Sequence, residues 1–166
     1  YPAALALLCQ HGRAGTVTIY HGTNTVVKNP EVRVVGYNKD FGFGFYCTRY
    51  ERQAQRWAIS KRNPHIACVY EYAPNKDLKV KTFAEMTDEW LDFVAACRHG
   101  KTHAYDIVEG PMADDEVWDY VEDFLSGRIT REAFWALARF KHPTHQIIFC
   151  TDTALNTLRF KSYYQL

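Results

Sequence analysis

The chain has 166 residues, a net charge of +1 and 47% apolar residues, with aromatic side chains making up 15% of the whole. One domain of this length buries a sizeable core, two only with difficulty, and the apolar content argues against disorder. The near-neutral charge gives no electrostatic reason to expect nucleic acid or an acidic membrane surface as partner, and the longest apolar run, "AALALL", is far too short to span a bilayer. Five scattered cysteines (Cys9, Cys47, Cys68, Cys97 and Cys150) form no CxxC pair. Neither a zinc site nor a disulfide framework is therefore expected, and reduced thiols in a cytosol-like compartment fit. His99 and His103 stand four apart, but Gly100 interrupts any helix between them and no acid completes an HExxH pattern, so no metal site is expected. The chain opens without methionine and without a signal-peptide layout, from which a removed N-terminal segment is expected.

In chain order, "TVTIYHGT" (16–23) alternates Val17 and Ile19 with threonines, the period of a strand with one buried face. "FGFYCT" reads as a second strand that runs into "TRYERQAQRWA", where Thr48 and Glu51 match a T-x-x-E capping box and Ala54, Trp57 and Ala58 share a face. "IACVYEY" (66–72) and "LKVKTF" (78–83) flank the turn-rich "APNKD" and read as a hairpin. A helix is expected from Thr87, with Trp90, Leu91, Val94 and Ala95 inward and Arg98, His99 and Gly100 at its end. "YDIV" (105–108) is a short strand. The clearest helix runs over 114–126 on Val117, Tyr120, Val121, Phe124 and Leu125, stopped by Gly127. Thr130 opens another, with Ala133, Phe134, Leu137 and Ala138 inward; "HQIIFCT" is a buried strand, and a helical turn and a final apolar piece follow. No repeat or linker divides the chain, so residues 1–166 are expected to form a single domain. Strands and helices interleave irregularly, which predicts an α+β fold rather than a doubly wound sheet.

Two short stretches carry chemistry. "DFGFGFYCT" (40–48) lacks the third glycine of a dinucleotide fingerprint and the Lys-Ser/Thr pair of a triphosphate loop. A bulged strand with core aromatics remains one reading of it, and the wall of a pocket for a planar ring is the other. "YHGT" (20–23) puts an imidazole beside a glycine at a strand end, which suits a ribose hydroxyl and a carboxamide; a plain structural hydrogen bond is the alternative.

"YHGT" followed about twenty residues later by "GFGFYCT" and a helix resembles the ADP-ribosyltransferase superfamily, in its His-Tyr-Glu branch. "KDFGFGFYCTRYERQAQRWA", "YDIVEGPMADD" and "HQIIFCTDTAL" further resemble the CteC-type bacterial effector family, which ADP-ribosylates a threonine of ubiquitin. The resemblance implies a split β-sandwich core with a helical insertion, and NAD as substrate. It implies a cofactor site of Tyr20, His21, Gly22, Thr23, Phe41, Gly42, Gly44, Phe45 and Tyr46. In that site His21 contacts the adenosine-side ribose, the Gly22 backbone holds the nicotinamide amide and Tyr46 stacks on the ring; alternation with Tyr46 turns Phe45 inward. It also implies ubiquitin as protein partner, a monomer, and a secreted bacterial effector acting in the host cytosol. Residues 83–140 supply more helix than a minimal transferase needs and are expected to dock the substrate; Trp90, Trp118 and Trp135 are anchor candidates there, or simply core.

The resemblance departs at the third element, where Gln146 stands for the superfamily's glutamate. An amide orients a ribose hydroxyl but brings no negative charge to an oxocarbenium-like centre. Either the domain binds NAD and transfers nothing, or another acid supplies the charge. Candidates are Glu109 at a strand end, Asp106 within "YDIV", which needs a partner or a job if buried, and Asp40 before the aromatic loop. Asp114 and Asp115 fit a helix cap and first turn instead. Hydrolysis of NAD, with water as acceptor, is a further reading.

Overall fold

The computed structural model describes residues 15–34, 39–113, 115–138 and 144–166. Cys9, the "AALALL" run and Asp114 lie outside them, as does the side chain of Asp115. Among the described residues seven strands form two sheets. The three-stranded sheet has the order β1 (Val17–Thr23), β3 (Ile66–Tyr72), β7 (Leu158–Gln165), all antiparallel. The four-stranded sheet has the order β2 (Phe45–Cys47), β6 (Gln146–Phe149), β5 (Ile107–Gly110), β4 (Val80–Thr82), with β4 parallel to β5 and the other pairs antiparallel. The fold is therefore α+β. Among the described residues no helix is long and apolar enough to cross a membrane.

Strand alternation divides the apolar residues into two cores. Ile19, Phe45, Cys47, Cys68, Tyr70, Ile147 and Phe149 point between the sheets and fill the sandwich. Val108 and Ile148 point the other way, where they meet Trp90, Leu91, Val94, Val117, Val121 and Phe134. Those residues come from α2 (Asp88–Arg98), α3 (Asp115–Leu125) and α4 (Arg131–Ala138), which cover the outer face of the four-stranded sheet. The side chain of Thr87 accepts from Trp90 N and caps α2 as its sequence position predicts. α1 (Glu51–Ile59) lies on the outer face of the other sheet, burying Gln53, Ala54 and Ala58. A last turn, α5 (Asp152–Leu155), precedes β7.

Three expectations are corrected, and a fourth segment is given its structure. The segments 66–72 and 78–83 do not pair as a hairpin. Both edges of β3 are taken, by β1 and β7, so no edge is left for β4. An Asx turn at Asn75 sends the chain across to the other sheet instead. Thr48 does not cap α1. Its N–H and C=O are both bonded to Tyr20 in an isolated bridge, which holds it extended, and the helix starts after Tyr50 without a side-chain cap. Leu137 faces solvent at 44% exposure because Phe134 and Ala138 already fill the inward stripe of α4. The final apolar piece is an eight-residue strand whose alternation pairs along the whole of β3.

Candidate functional site

The Tyr20–Thr48 bridge clamps β1 to the end of β2 and so sets His21 beside Tyr46. His21 Nδ1 lies 2.6 Å from the Tyr46 carbonyl, and its ring sits 4.4 Å from that of Phe45. A carbonyl only accepts, so Nδ1 carries the proton and Nε2 is left as an acceptor. Burial depresses the imidazole pKa and the Lys61 and Lys39 charges assist; the Tyr46 carbonyl pulls the other way, and the balance is about 4. His21 is therefore neutral at physiological pH.

A cavity of about 780 Å³ opens beside this pair, within the size range of small-molecule sites. It is lined by His21, Thr23, Gly44, Phe45 and Tyr46 from the expected set. Phe43 and the irregular segment after β1 complete it, with Lys28, Arg33 and Lys39 contributing cations and Glu31 a carboxylate. The Tyr46 hydroxyl donates to Gly42 O at 2.5 Å and accepts from Phe41 N at 3.3 Å, which locks the aromatic loop onto its own strand. Lys39 Nζ lies 4.8 Å from the centre of the Tyr46 ring. Gly44 is dictated by β6, since a Cβ there would meet Ile148 Cγ2 and Phe149 O at 2.6 Å.

Other expected cofactor residues serve the scaffold. Phe41 is fully enclosed and packs on Phe83 and Phe93. Gly22 faces α1, where a Cβ would come within 2.0 Å of Ala54 O, so its lack of a side chain lets helix and strand touch. Tyr20 shares that face, and burial followed by the nearby Glu51 raises its phenol pKa. Gly42 contributes its carbonyl to Tyr46.

The four catalytic candidates do not converge on the His21 cavity. Asp40 is 6% exposed and saturated: Oδ1 receives Arg98 Nε and an Arg98 terminal nitrogen at 3.0 and 2.6 Å, and Oδ2 receives Ala113 N at 2.9 Å. Gln146 is 4% exposed and directs Nε2 to Asp40 Oδ2 at 3.3 Å and Pro111 O at 3.4 Å. Asp106 has the partner its position requires, accepting from Lys79 N and from the Thr151 hydroxyl. Those two bonds hold its pKa below the usual carboxylate value.

Glu109 lines a second cavity of about 690 Å³ with His145, Tyr50, Phe83, Met86 and Trp135. Its Oε1 receives Arg49 Nε at 2.5 Å and His145 Nε2 at 2.8 Å. Burial alone would raise the Glu109 pKa; the hydrogen bonds and charges of His145 and Arg49 outweigh it and bring it down to about 2. His145 Nδ1 accepts from Arg49 N, and Gln53 of α1 grips both backbone groups of His145. The group is an ionised, fully braced carboxylate and a weak proton acceptor.

Of the tryptophans, Trp90 is enclosed and donates to Pro111 O, Trp118 is half-buried beneath the Arg98 guanidinium at 3.2 Å, and Trp135 is half-buried and donates to Asp88. Sequence reading missed Lys28, Glu31, Arg33 and Lys39, which lie outside any periodic element. It also missed Arg49 and His145, whose roles depend on partners far along the chain.

The geometry defines an α+β protein of two sheets, with a ligand-sized cavity lined by residues of both short motifs. Residues 17–160 match the family described as a protein of unknown function, DUF3990, and the chain belongs to that family. No curated protein matches the chain.

Proposed function

We propose that the protein is an ADP-ribosyltransferase-like enzyme that binds NAD in the His21 cavity and transfers ADP-ribose to a protein side chain. The observation that carries this reading is the 2.6 Å hydrogen bond joining His21 to Tyr46, which unites the "YHGT" and "FGFY" motifs on one cavity wall. The neutral His21 Nε2 suits a ribose hydroxyl, and Lys28, Arg33 and Lys39 suit the pyrophosphate. The Tyr46 ring, over which Lys39 sits, would take the nicotinamide as Lys39 turns to the phosphates. The two sheets suit a split β-sandwich transferase core, with α2 to α4 as its helical insertion. By the same resemblance the acceptor is a threonine of ubiquitin, and modifying it would block ubiquitination. The protein would then be a monomeric bacterial effector, secreted and acting in the host cytosol.

A second reading is favoured by one observation: none of Gln146, Asp40 and Glu109 lines the His21 cavity, and each is bonded elsewhere. A silent NAD-binding or protein-binding module would look like this. Ubiquitin incubated with the protein and NAD, followed by mass spectrometry, separates the readings. An ADP-ribose adduct supports transfer, and free ADP-ribose without adduct supports a glycohydrolase. Bound NAD with neither product supports the silent module. Full activity in His21→Ala would sink the assignment of the cavity.

A further inference from the structure

We propose that Glu31 is the catalytic residue that supplies negative charge to the reacting ribose; this rests on the NAD reading above. Loss of nicotinamide breaks the bond between its ring nitrogen and ribose C1′. The electron pair leaves with nicotinamide, which becomes neutral, and positive charge spreads over C1′ and the ring oxygen. A carboxylate on that face lowers the barrier. The groups expected to provide it are committed elsewhere: Asp40 to Arg98, Asp106 to Lys79 N and Thr151, Glu109 to Arg49 and His145, and Gln146 to Asp40.

Among the described residues lining the His21 cavity, Glu31 alone carries a carboxylate. Among the described residues it makes no hydrogen bond or ion pair, so it is the one carboxylate on that wall with its oxygens open to a ligand. It belongs to the segment that also brings Lys28 and Arg33 to the cavity. One stretch of chain thus presents cations for a pyrophosphate and an anion for the sugar that follows it. The acceptor hydroxyl oxygen, or water, forms the new bond to C1′; its proton passes to the Glu31 carboxylate and from there to solvent.

The test measures nicotinamide release from NAD by chromatography, with and without ubiquitin, and NAD affinity by calorimetry. It compares the parent protein with Glu31→Gln and Glu31→Asp. Glu31 is exposed on an irregular segment, so both variants should keep the parent melting temperature. We expect Glu31→Gln to lower release about 100-fold while the NAD dissociation constant stays within about threefold, and Glu31→Asp to retain part of the rate. Release in Glu31→Gln within about threefold of the parent overturns the assignment, as does loss of NAD affinity in place of rate. A parent protein that releases nicotinamide keeps the NAD reading whatever Glu31→Gln does. A parent that binds NAD but releases none overturns the Glu31 assignment and leaves the silent module. A parent that binds no NAD overturns both.

Discussion

Placing at position 146 the glutamate that the ADP-ribosyltransferase resemblance implies should damage the protein. In the fold, Gln146 Nε2 donates to Asp40 Oδ2 at 3.3 Å and Pro111 O at 3.4 Å, so both neighbours are acceptors. Gln146→Glu places a second carboxylate against Asp40 with no donor between them. Two charges at that separation repel by about 5 kcal/mol at an effective dielectric constant of about 20. The protein escapes by protonating the new carboxyl, whose hydroxyl then donates to Asp40 as the amide did. Protonation at pH 7.5, against a free glutamate value of about 4.3, costs about 4 kcal/mol, which caps the penalty. At pH 5 the same cap falls to about 1 kcal/mol. The folded-state pKa is raised, so the lost stability returns as pH falls, the reverse of ordinary carboxylate behaviour. Urea unfolding followed by fluorescence of the 4 tryptophans reads both numbers against the parent at the two pH values. A variant within about 0.5 kcal/mol of the parent at pH 7.5, or a gap equal at both pH values, would refute the buried Gln146–Asp40 contact.

Four further outcomes follow from the same contacts. Glu109→Gln should cost about 3 kcal/mol at neutral pH, because a drop from 4.5 to about 2 corresponds to that much coupling to Arg49 and His145. In the parent this stability is present above about pH 4.5 and lost as pH falls toward 2, so the variant's unfolding free energy should be flat across that window. His21, depressed from 6.5 to about 4, contributes about 3 kcal/mol that is complete above pH 6.5 and lost as pH falls through 4; His21→Gln should remove that part of an acid titration followed by circular dichroism. Arg98→Met strands the buried Asp40 carboxylate and should cost about 3–5 kcal/mol by urea titration. Gly22→Ala drives a methyl group to 2.0 Å from Ala54 O, a backbone atom that cannot turn away, and should cost at least about 3 kcal/mol, read as a lowered melting temperature.

Local rules carried the sequence reading where a segment's own period decides its structure. The amphipathic stripe of Val117 and Val121, the Thr87 cap and the alternation of β1 all rest on neighbours within a few residues. They failed where a distant partner outbids the local preference. Thr48 and Glu51 have the capping-box spacing, yet Tyr20 takes the Thr48 backbone into a bridge. The "APNKD" turn suits a hairpin, yet β7, more than eighty residues later, occupies the edge that β4 would need. The site divides in the same way. His21 and Tyr46 were legible because each belongs to a short motif on a strand. The companions of Glu109 were not, since Arg49 and His145 stand 60 and 36 residues from it in sequence and nothing local marks the pairing.

Glycine and glutamine illustrate why a motif's residues and their physical jobs separate. "HG" and "GFG" suggest glycines that open a wall to a ring, yet Gly22 and Gly44 are each forced by a packed neighbour, α1 in one case and β6 in the other. The cleft exists because those contacts are tight. Pressing α1 onto β1 and β2 onto β6 fixes both strands, and the bridge between Tyr20 and Thr48 then leaves His21 facing Tyr46. The choice of glutamine at position 146 obeys the same constraint. Asp40 anchors the turn before β2 through Arg98 and Ala113 N, and Gln146 serves as a neutral donor to that anchor. A glutamate there would compete with the carboxylate that holds the aromatic loop in place. A carboxylate from the irregular segment after β1 reaches the cavity without disturbing that anchor, and Glu31 lies there.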